Sequence, residues 1–538
     1  MIPSNFRPHT HHDVTRHYYK QHERQIAAGE YRPLLYPWDT LGALVVVAYM
    51  LVSHQNRPWL RKARFLVFAF NLAYTVYLIR NVRAKGVAST LGVGLIAAWS
   101  TIYVLALLVC NDPQRDFMRI ERLEGMFGSG SREDDGVHEG VTSSSTTMRK
   151  EENGTANGVT EGREHLGPTQ RHGEFAWQPY PETPFVERLD WVLDIFGNFR
   201  GTSWNWRTIS TAPPPKSIQA QLLRNSSIQP THTFCTHPSQ THVYPTRRAL
   251  LIGNVKTLLA GYLILDIIKT LGSHDPYFWG YIDRPPAPYL PRLITESKVL
   301  THSLRLLLCQ FAIKWALESM FALAPLFFSG LLGPTLIGAR AEAWMYPAAW
   351  GSYTLVLDKG LAGWWSGWWH QTFRFAFEQP SKRVIEALGW DKKAPLAKAV
   401  QLFTAFGLSG ALHACGIVTC HGETYPLSGT MAFFLLQAAG LFVENVLCKG
   451  MRGSAVVKSM PGWVKRTLTF VYVHVWFYHT AHLLCDDFAR GGVWLFEPCP
   501  VSLFRGLGFG AEGDGWLAIE ALPTWYRGPT WYTTGITF

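Results

Sequence analysis

One histidine stands inside an apolar stretch. His413 lies in Ser409-Gly410-Ala411-Leu412-His413-Ala414-Cys415-Gly416, near the middle of a run over 400–420 that reads as a membrane span. An ionisable group is costly in hydrocarbon, so such residues face a bundle interior or a watered cavity. A neutral imidazole in that setting can take a proton from a hydroxyl. The small neighbours Ser409, Gly410, Ala411, Ala414 and Gly416 let a second helix or a substrate come close. The same position would also suit a histidine hydrogen-bonded between two helices for packing alone.

A second group precedes it: Trp364-Trp365-Ser366-Gly367-Trp368-Trp369-His370-Gln371-Thr372-Phe373-Arg374. In helical form Trp364, Trp365, Trp368 and Trp369 share one broad aromatic face suited to a membrane surface. His370 and Gln371 adjoin that face and are placed to point inward. Arg374, Lys382 and Arg383 follow, with the charge to meet phosphates or anionic headgroups.

Other candidates invite other chemistry. His474, His479 and His482 fall in or near a late apolar run, and His9, His11 and His12 in the N-terminal tail. Together they raise a di-iron oxidase reading. The ligand count falls short of it, because only one H-x-x-H pair lies in a span and the H-x-H-H lies far away in a polar tail. Asp266, Glu444, Lys256, Lys314 and Glu318 are the remaining intramembrane charges. Lys314 and Glu318 are spaced to pair along a helix, Asp266 is near enough to pair with Lys269, and Glu444 comes one helix after His413 and could orient it. No phosphate-binding glycine loop and no G-x-S-x-G elbow occurs.

The elements that must position these residues are helices. A bilayer core takes about 20 apolar residues as a helix. Candidate spans run over 36–53, 64–80, 88–110, 249–271, 300–338 (as one long helix plus a broken one, or as two), 400–420, 430–448 and 466–485. The expected fold class is therefore all-α: a polytopic integral membrane protein with about eight or nine transmembrane helices around a catalytic tunnel. The expected divisions are a polar tail over 1–35, N-terminal spans over 36–110, a polar loop over 111–247, a core over 248–485 and a tail over 486–538. Segment 128–167 has a disordered composition. Segment 217–246 lacks periodicity and reads as an insertion or a gene-model artefact. Segment 340–398 is Trp-rich and too interrupted to span, and reads as interfacial or re-entrant. Sequons occur at Asn153 and Asn225. The polar start lacks a cleavable signal, so the first span is expected to direct insertion.

Composition agrees. The chain has 538 residues and 17% charged residues, against about 25% in soluble domains. It carries 22 Trp, a residue enriched at water–lipid boundaries. The net charge of +11 is no sign of nucleic acid binding, because the basic residues flank apolar runs, as at Arg57, Arg61, Lys62 and Arg64, at Arg80, Arg83 and Lys85, and at Arg247 and Arg248. The eight cysteines include no C-x-x-C pair.

Four places together resemble the wax-synthase-like branch of the membrane-bound O-acyltransferase family in its fungal form. Arg200-Gly201-Thr202-Ser203-Trp204-Asn205-Trp206-Arg207 before Pro213-Pro214-Pro215-Lys216 is similar to the family's R-G-x-G-W-x-W stretch. Asp275-Pro276-Tyr277-Phe278-Trp279-Gly280 resembles a linker found after the next helix. The Trp365–Arg374 run resembles the F-W-x-x-x-W-H-Q-x-x-R signature, with Gly367-Trp368 where basic residues are common. Ser409-Gly410-Ala411-Leu412-His413 resembles the S-G-x-x-H motif that carries the family's catalytic histidine.

The resemblance implies transfer of an acyl group, acetyl by preference, from acyl-CoA as co-substrate to the hydroxyl of a hydrophobic acceptor. It points to a terpenoid or other fungal secondary metabolite, with a long-chain wax ester as the alternative. It implies His413 and His370 as catalytic residues and Trp365, Trp369, Gln371, Arg374 and Ser409 as substrate or CoA contacts. It also implies no bound cofactor or metal, and a multi-pass setting, the endoplasmic reticulum being the expected membrane. A multispan transporter is the alternative of a different class.

Overall fold

A computed structural model describes residues 7–125, 173–230, 241–451, 453–519 and 522–538. The segment 128–167 and Asn153 lie outside the described residues. Apolar runs with few charges become helices because a helix bonds its own backbone, the only local solution in hydrocarbon. The helices used below are α1 (His11–Ala27), α2 (Leu41–Leu51), α3 (Arg64–Asn81), α4 (Val87–Val104), α5 (Phe185–Gly197), α6 (Lys216–Asn225), α7 (Arg247–Gly272), α8 (Lys298–Pro325), α9 (Thr354–Gly363), α10 (Arg374–Ala387), α11 (Pro395–Val418), α12 (Ala432–Met451), α13 (Gly462–Thr480) and α14 (His482–Arg490).

The protein is an all-α polytopic membrane protein. Six helices are long and apolar enough to cross a membrane among the described residues: Pro58–Asn81, Val87–Val109, Arg247–Gly272, Lys298–Ala341, Pro395–Val418 and Leu427–Met451. Two further expected spans differ. The run 36–53 yields only the shorter apolar helix Trp38–Leu51. The run 466–485 falls on α13, which carries Lys465, Arg466, His474 and His479, and on α14, so its polar residues keep it out of that set. Leu66, Ile96 and Leu259 are 74%, 67% and 60% exposed; side chains of this kind on spanning helices find their apolar surroundings in lipid.

Small residues set the closest helix contacts, as they do where lipid supplies no hydrophobic drive between helices. α4 packs along α11. A Cβ on Gly94 would stand 1.9 Å from the Cys415 carbonyl oxygen, and one on Gly416 would stand 3.1 Å from Leu91 Cδ1. The same pair is stapled by hydroxyls. Thr90 Oγ1 donates to the Thr419 carbonyl at 2.6 Å, and Thr419 Oγ1 donates back to the Thr90 carbonyl at 2.7 Å. α7 packs on α8, α9 on α13, and α10 and α12 on α11.

The expected break over 340–398 is present, and it is more ordered than a surface helix. The Trp run forms a single π turn, Trp364–Trp368, and the chain becomes extended at Trp369. The four tryptophans therefore do not spread over one helical face. Trp364 is 4% exposed and lies 4.4 Å from Phe477, so the rings pack inward. π turns recur where chains build functional sites. Segment 217–246 also departs from expectation at its start, since α6 buries Ile218 and Leu222, one turn apart, against the strand Phe175–Gln178. At its end, the Asn225 amide donates to Glu174 at 2.8 Å and to the Phe175 carbonyl at 3.2 Å.

Candidate active site

His413 projects from α11 with one nitrogen committed. Its Nδ1 lies 2.7 Å from the carbonyl oxygen of Ser409. A carbonyl only accepts, so Nδ1 carries the proton and the neutral ring has its lone pair at Nε2. Nε2 makes no hydrogen bond to the protein and is not sealed from open space. The ring stacks on Phe434 with centroids 4.6 Å apart. Gly410 permits this stacking: a Cβ there would meet Met431 Sδ at 2.6 Å and Phe434 Cβ at 3.2 Å. Thus Ser409 fixes the tautomer through its backbone, and Gly410 brings α12 and its aromatic ring against the imidazole.

The Trp run reaches the same place. Trp365 lies 6.4 Å from Phe434 and 5.4 Å from Phe406 of α11. Trp369 packs edge-on to Trp350 at 4.7 Å. His370 sits in an aromatic box of Phe321, Trp350, Trp369 and Phe373, with ring centroids 5.4 to 5.6 Å away. Its Nδ1 is sealed and has no hydrogen-bond partner. Burial pushes His370 down to about 3, helped by the nearby His413 and by the Arg200 charge, so the ring is neutral at physiological pH. The two histidines are therefore electrostatic neighbours.

Gln371 and Arg374 hold this arrangement. The Gln371 amide donates to the carbonyls of Trp365 and Trp369, both at 2.7 Å. Its oxygen accepts from Arg374 at 3.0 Å, and Arg374 donates to Glu378 at 2.6 Å. Lys382 meets the same Glu378 at 3.2 Å. One side chain thus ends the π turn, satisfies carbonyls that the broken helix leaves free, and starts α10.

Arg200 was noted in its motif but not singled out as a site residue. It donates to the carbonyls of Pro347 at 2.8 Å and Ala348 at 3.0 Å, just before Trp350. Burial lowers it only to about 10, so it stays charged. Its loop is pinned to the strand Arg119–Arg122, where the Ile120 amide donates to Ser203 at 2.7 Å and Asn205 to Met118 at 3.0 Å. Arg119 in turn is fully buried and binds Asp190 at 2.7 Å and Gln178 at 2.7 Å. Nothing in the local sequence marks this framework, because its partners come from distant segments.

Four of the five intramembrane charges resolve into pairs and caps, while Lys256 is exposed. Lys314 pairs with Glu318, and its ammonium lies 3.5 Å over the ring of Trp315. Glu444 does not orient His413: it accepts the amides of Leu361 at 2.8 Å and Ala362 at 2.9 Å, where α9 restarts after Gly360. Gly360 has a φ of +63°, and a Cβ there would collide with the Glu444 carboxylate. Asp266 accepts the amides of Leu503 at 2.7 Å and Phe504 at 3.1 Å, while Lys269 pairs with Glu497 at 3.4 Å. His474 donates from Nδ1 to the Phe470 carbonyl at 2.8 Å and meets the Tyr353 hydroxyl at 3.3 Å. His479 is exposed and His482 lies 6.0 Å from the His302 ring.

The sequence of this region is similar to that of known proteins. Residues 346–436 match the membrane bound O-acyl transferase family, a segment that holds Trp350, the Trp run, His370, His413 and Phe434. The chain is 24% identical over 248 residues to acetyltransferase aurG of Calcarisporium arbuscula, covering 44% of this chain and 56% of that one. It is 24% identical over 318 residues to acetyltransferase ple2 of Rhodocybe pseudopiperita, covering 59% and 71%. It is 24% identical over 309 residues to O-Mevalon transferase macI of Penicillium terrestre, covering 54% and 60%. The chain thus spans little more than half the length of two of these three relatives. No solved structure matches.

Proposed function

Because the chain is related to the membrane-bound O-acyltransferases, we propose that it moves an acyl group, acetyl by preference, from acyl-CoA to the hydroxyl of a hydrophobic alcohol. The observation that carries this reading is the bond from His413 Nδ1 to the Ser409 carbonyl, which leaves Nε2 as the basic nitrogen in an apolar setting. His413 Nε2 takes the proton of the acceptor hydroxyl as its oxygen attacks the thioester carbonyl. The tetrahedral intermediate collapses with loss of the CoA thiolate, and the proton on His413 passes to that thiolate or to water. No covalent enzyme intermediate is needed.

His370 supports the developing oxyanion. In this reading the His370 proton sits on Nε2, the nitrogen not sealed off, and a neutral N–H there donates to the carbonyl oxygen. The Arg200 charge adds to that stabilisation at longer range. Trp365 and Trp369 wall the chamber, Gln371 sets the loop, and Arg374 with Lys382 offers positive charge toward the phosphates of the donor. The hydrophobic acceptor enters from lipid and CoA from water, which suits a chamber at a membrane boundary. The acetyltransferase names of the fungal relatives favour an acetyl donor; a secondary-metabolite acceptor such as a terpenoid alcohol follows from the motif resemblance, and the endoplasmic reticulum is the membrane proposed.

The test is direct. Membranes containing the protein are given labelled acetyl-CoA and a panel of terpenoid and long-chain alcohols, and esters are separated and counted. Label in a terpenoid ester supports the reading. Label only in long-chain esters moves the acceptor to wax alcohols, and no ester from any donor overturns the enzyme reading.

A further inference from the structure

The N-terminal histidines were left unused by the acyl-transfer chemistry, and the fold brings two of them to a carboxylate 502 positions away from His12. We propose that His11, His12 and Asp514 bind a divalent metal ion, zinc by the chemistry of the donors, which clasps the first helix to the C-terminal segment.

The donor atoms converge. Asp514 Oδ1 lies 3.3 Å from His11 Nε2 and 3.0 Å from His12 Nε2. One ligand atom from each residue can be chosen so that all lie within 4.8 Å of one another. Around a tetrahedral zinc with ligands about 2.0–2.1 Å away, neighbouring donors stand about 3.3 Å apart. Each nitrogen thus stands from Oδ1 at about the separation of two ligands on one zinc.

The hydrogen bonding is incomplete without an ion. His11 is 5% exposed; its Nδ1 has no hydrogen-bond partner and its Nε2 has only the 3.3 Å contact with Asp514 Oδ1. A buried imidazole held by one long contact is costly. The contact of His12 with Asp514 takes up one ring nitrogen, and His11 Nε2 shares the same oxygen at 3.3 Å. A metal between the two Nε2 atoms and Oδ1 would ligate all three residues and replace this shared contact. Asp514 is prepared for it: Oδ2 accepts the Ala511 amide at 2.8 Å, which aims Oδ1 at the histidines. Gly513, with φ at +89°, makes the turn that presents Asp514.

Nearby charge is accommodated. Arg505 lies 3.9 Å from Asp514 Oδ1, but both its terminal nitrogens donate to Glu497, at 3.0 and 2.7 Å. On the open side, His12 borders a cavity of about 620 Å³ lined also by His9, Thr10 and Glu512. A water from that side would supply the fourth ligand. Two imidazoles and one carboxylate select zinc or a similar first-row ion over magnesium or calcium. None of the three residues is bonded to or ring-packed against His370 or His413, so the inference stands or falls separately from the proposed function.

The full chain is purified in detergent without a metal-affinity tag, stripped with a chelator, and titrated with zinc or cobalt(II). The expected result is one ion per chain, a tetrahedral cobalt visible spectrum and a rise in Tm with zinc. His11→Ala and Asp514→Asn each weaken zinc binding at least tenfold, and His12→Cys, which keeps a ligand, retains it. His479→Ala, far from the cluster, binds as the wild type does. Wild-type chain that takes up no stoichiometric zinc overturns the proposal, as does unchanged affinity in the His11→Ala, Asp514→Asn double variant. Where a variant fails to fold, the wild-type stoichiometry and cobalt spectrum decide the matter alone.

Discussion

At the residue scale the site turns on two neutral histidines made different by their surroundings. His413 has a defined tautomer because a backbone carbonyl takes its Nδ1 proton. His370 has no such partner and is held neutral by its aromatic box and by the charge of Arg200. That neutrality has a pH signature. The folded value is about 3 and the ordinary value 6.5, so between these the unfolded chain takes up a proton that the folded chain refuses. Acidification through that window therefore lowers stability, with a slope from this residue of at most about 1.4 kcal/mol per pH unit. His421, which burial pushes down to about 4, acts in the same direction. Thermal unfolding of detergent-solubilised protein between pH 7 and 4 is expected to show a fall in Tm that is shallower in His370→Gln. An identical pH slope in the two proteins would contradict this account of His370.

At the scale of elements, the site depends on how closely α4, α11 and α12 approach. Gly94→Ala places a Cβ 1.9 Å from the Cys415 carbonyl, two residues from His413. No rotamer relieves a clash with backbone, so the helices must part. The cost is expected at about 1–3 kcal/mol, read as a lower Tm, with activity falling further because His413 moves away from Phe434. An unchanged Tm would mean that the helices do not meet there. Much of this was legible in the sequence. The apolar runs gave six of the expected spans, and the small residues around His413 marked a close contact. The π turn at Trp364–Trp368 was not, because its cause is the Gln371 side chain bonding two carbonyls. Helical periodicity carries no trace of that bond. The role of Glu444 was hidden likewise, since it depends on the left-handed Gly360 on a different helix.

At the scale of the whole molecule, separate stretches of chain meet around the candidate site. Arg200 reaches Pro347 and Ala348, and so fastens the loop after α5 to the segment carrying Trp350. Arg200→Lys keeps the charge but cannot serve two carbonyls in a planar fork. Its acyl transfer is expected to fall about tenfold or more, with a modest loss in Tm; wild-type rates would show that the tether is dispensable. Such long-range ties, like that between His12 and Asp514, leave no local pattern for a reader of sequence to find. The central claim is that His413 is the base of acyl transfer. It is tested most directly by the rate of ester formation from labelled acetyl-CoA in membranes holding equal amounts of wild-type and His413→Ala protein. The account predicts a loss of about 100-fold or more in a protein that still unfolds cooperatively near the wild-type temperature. Full ester formation by His413→Ala would contradict it.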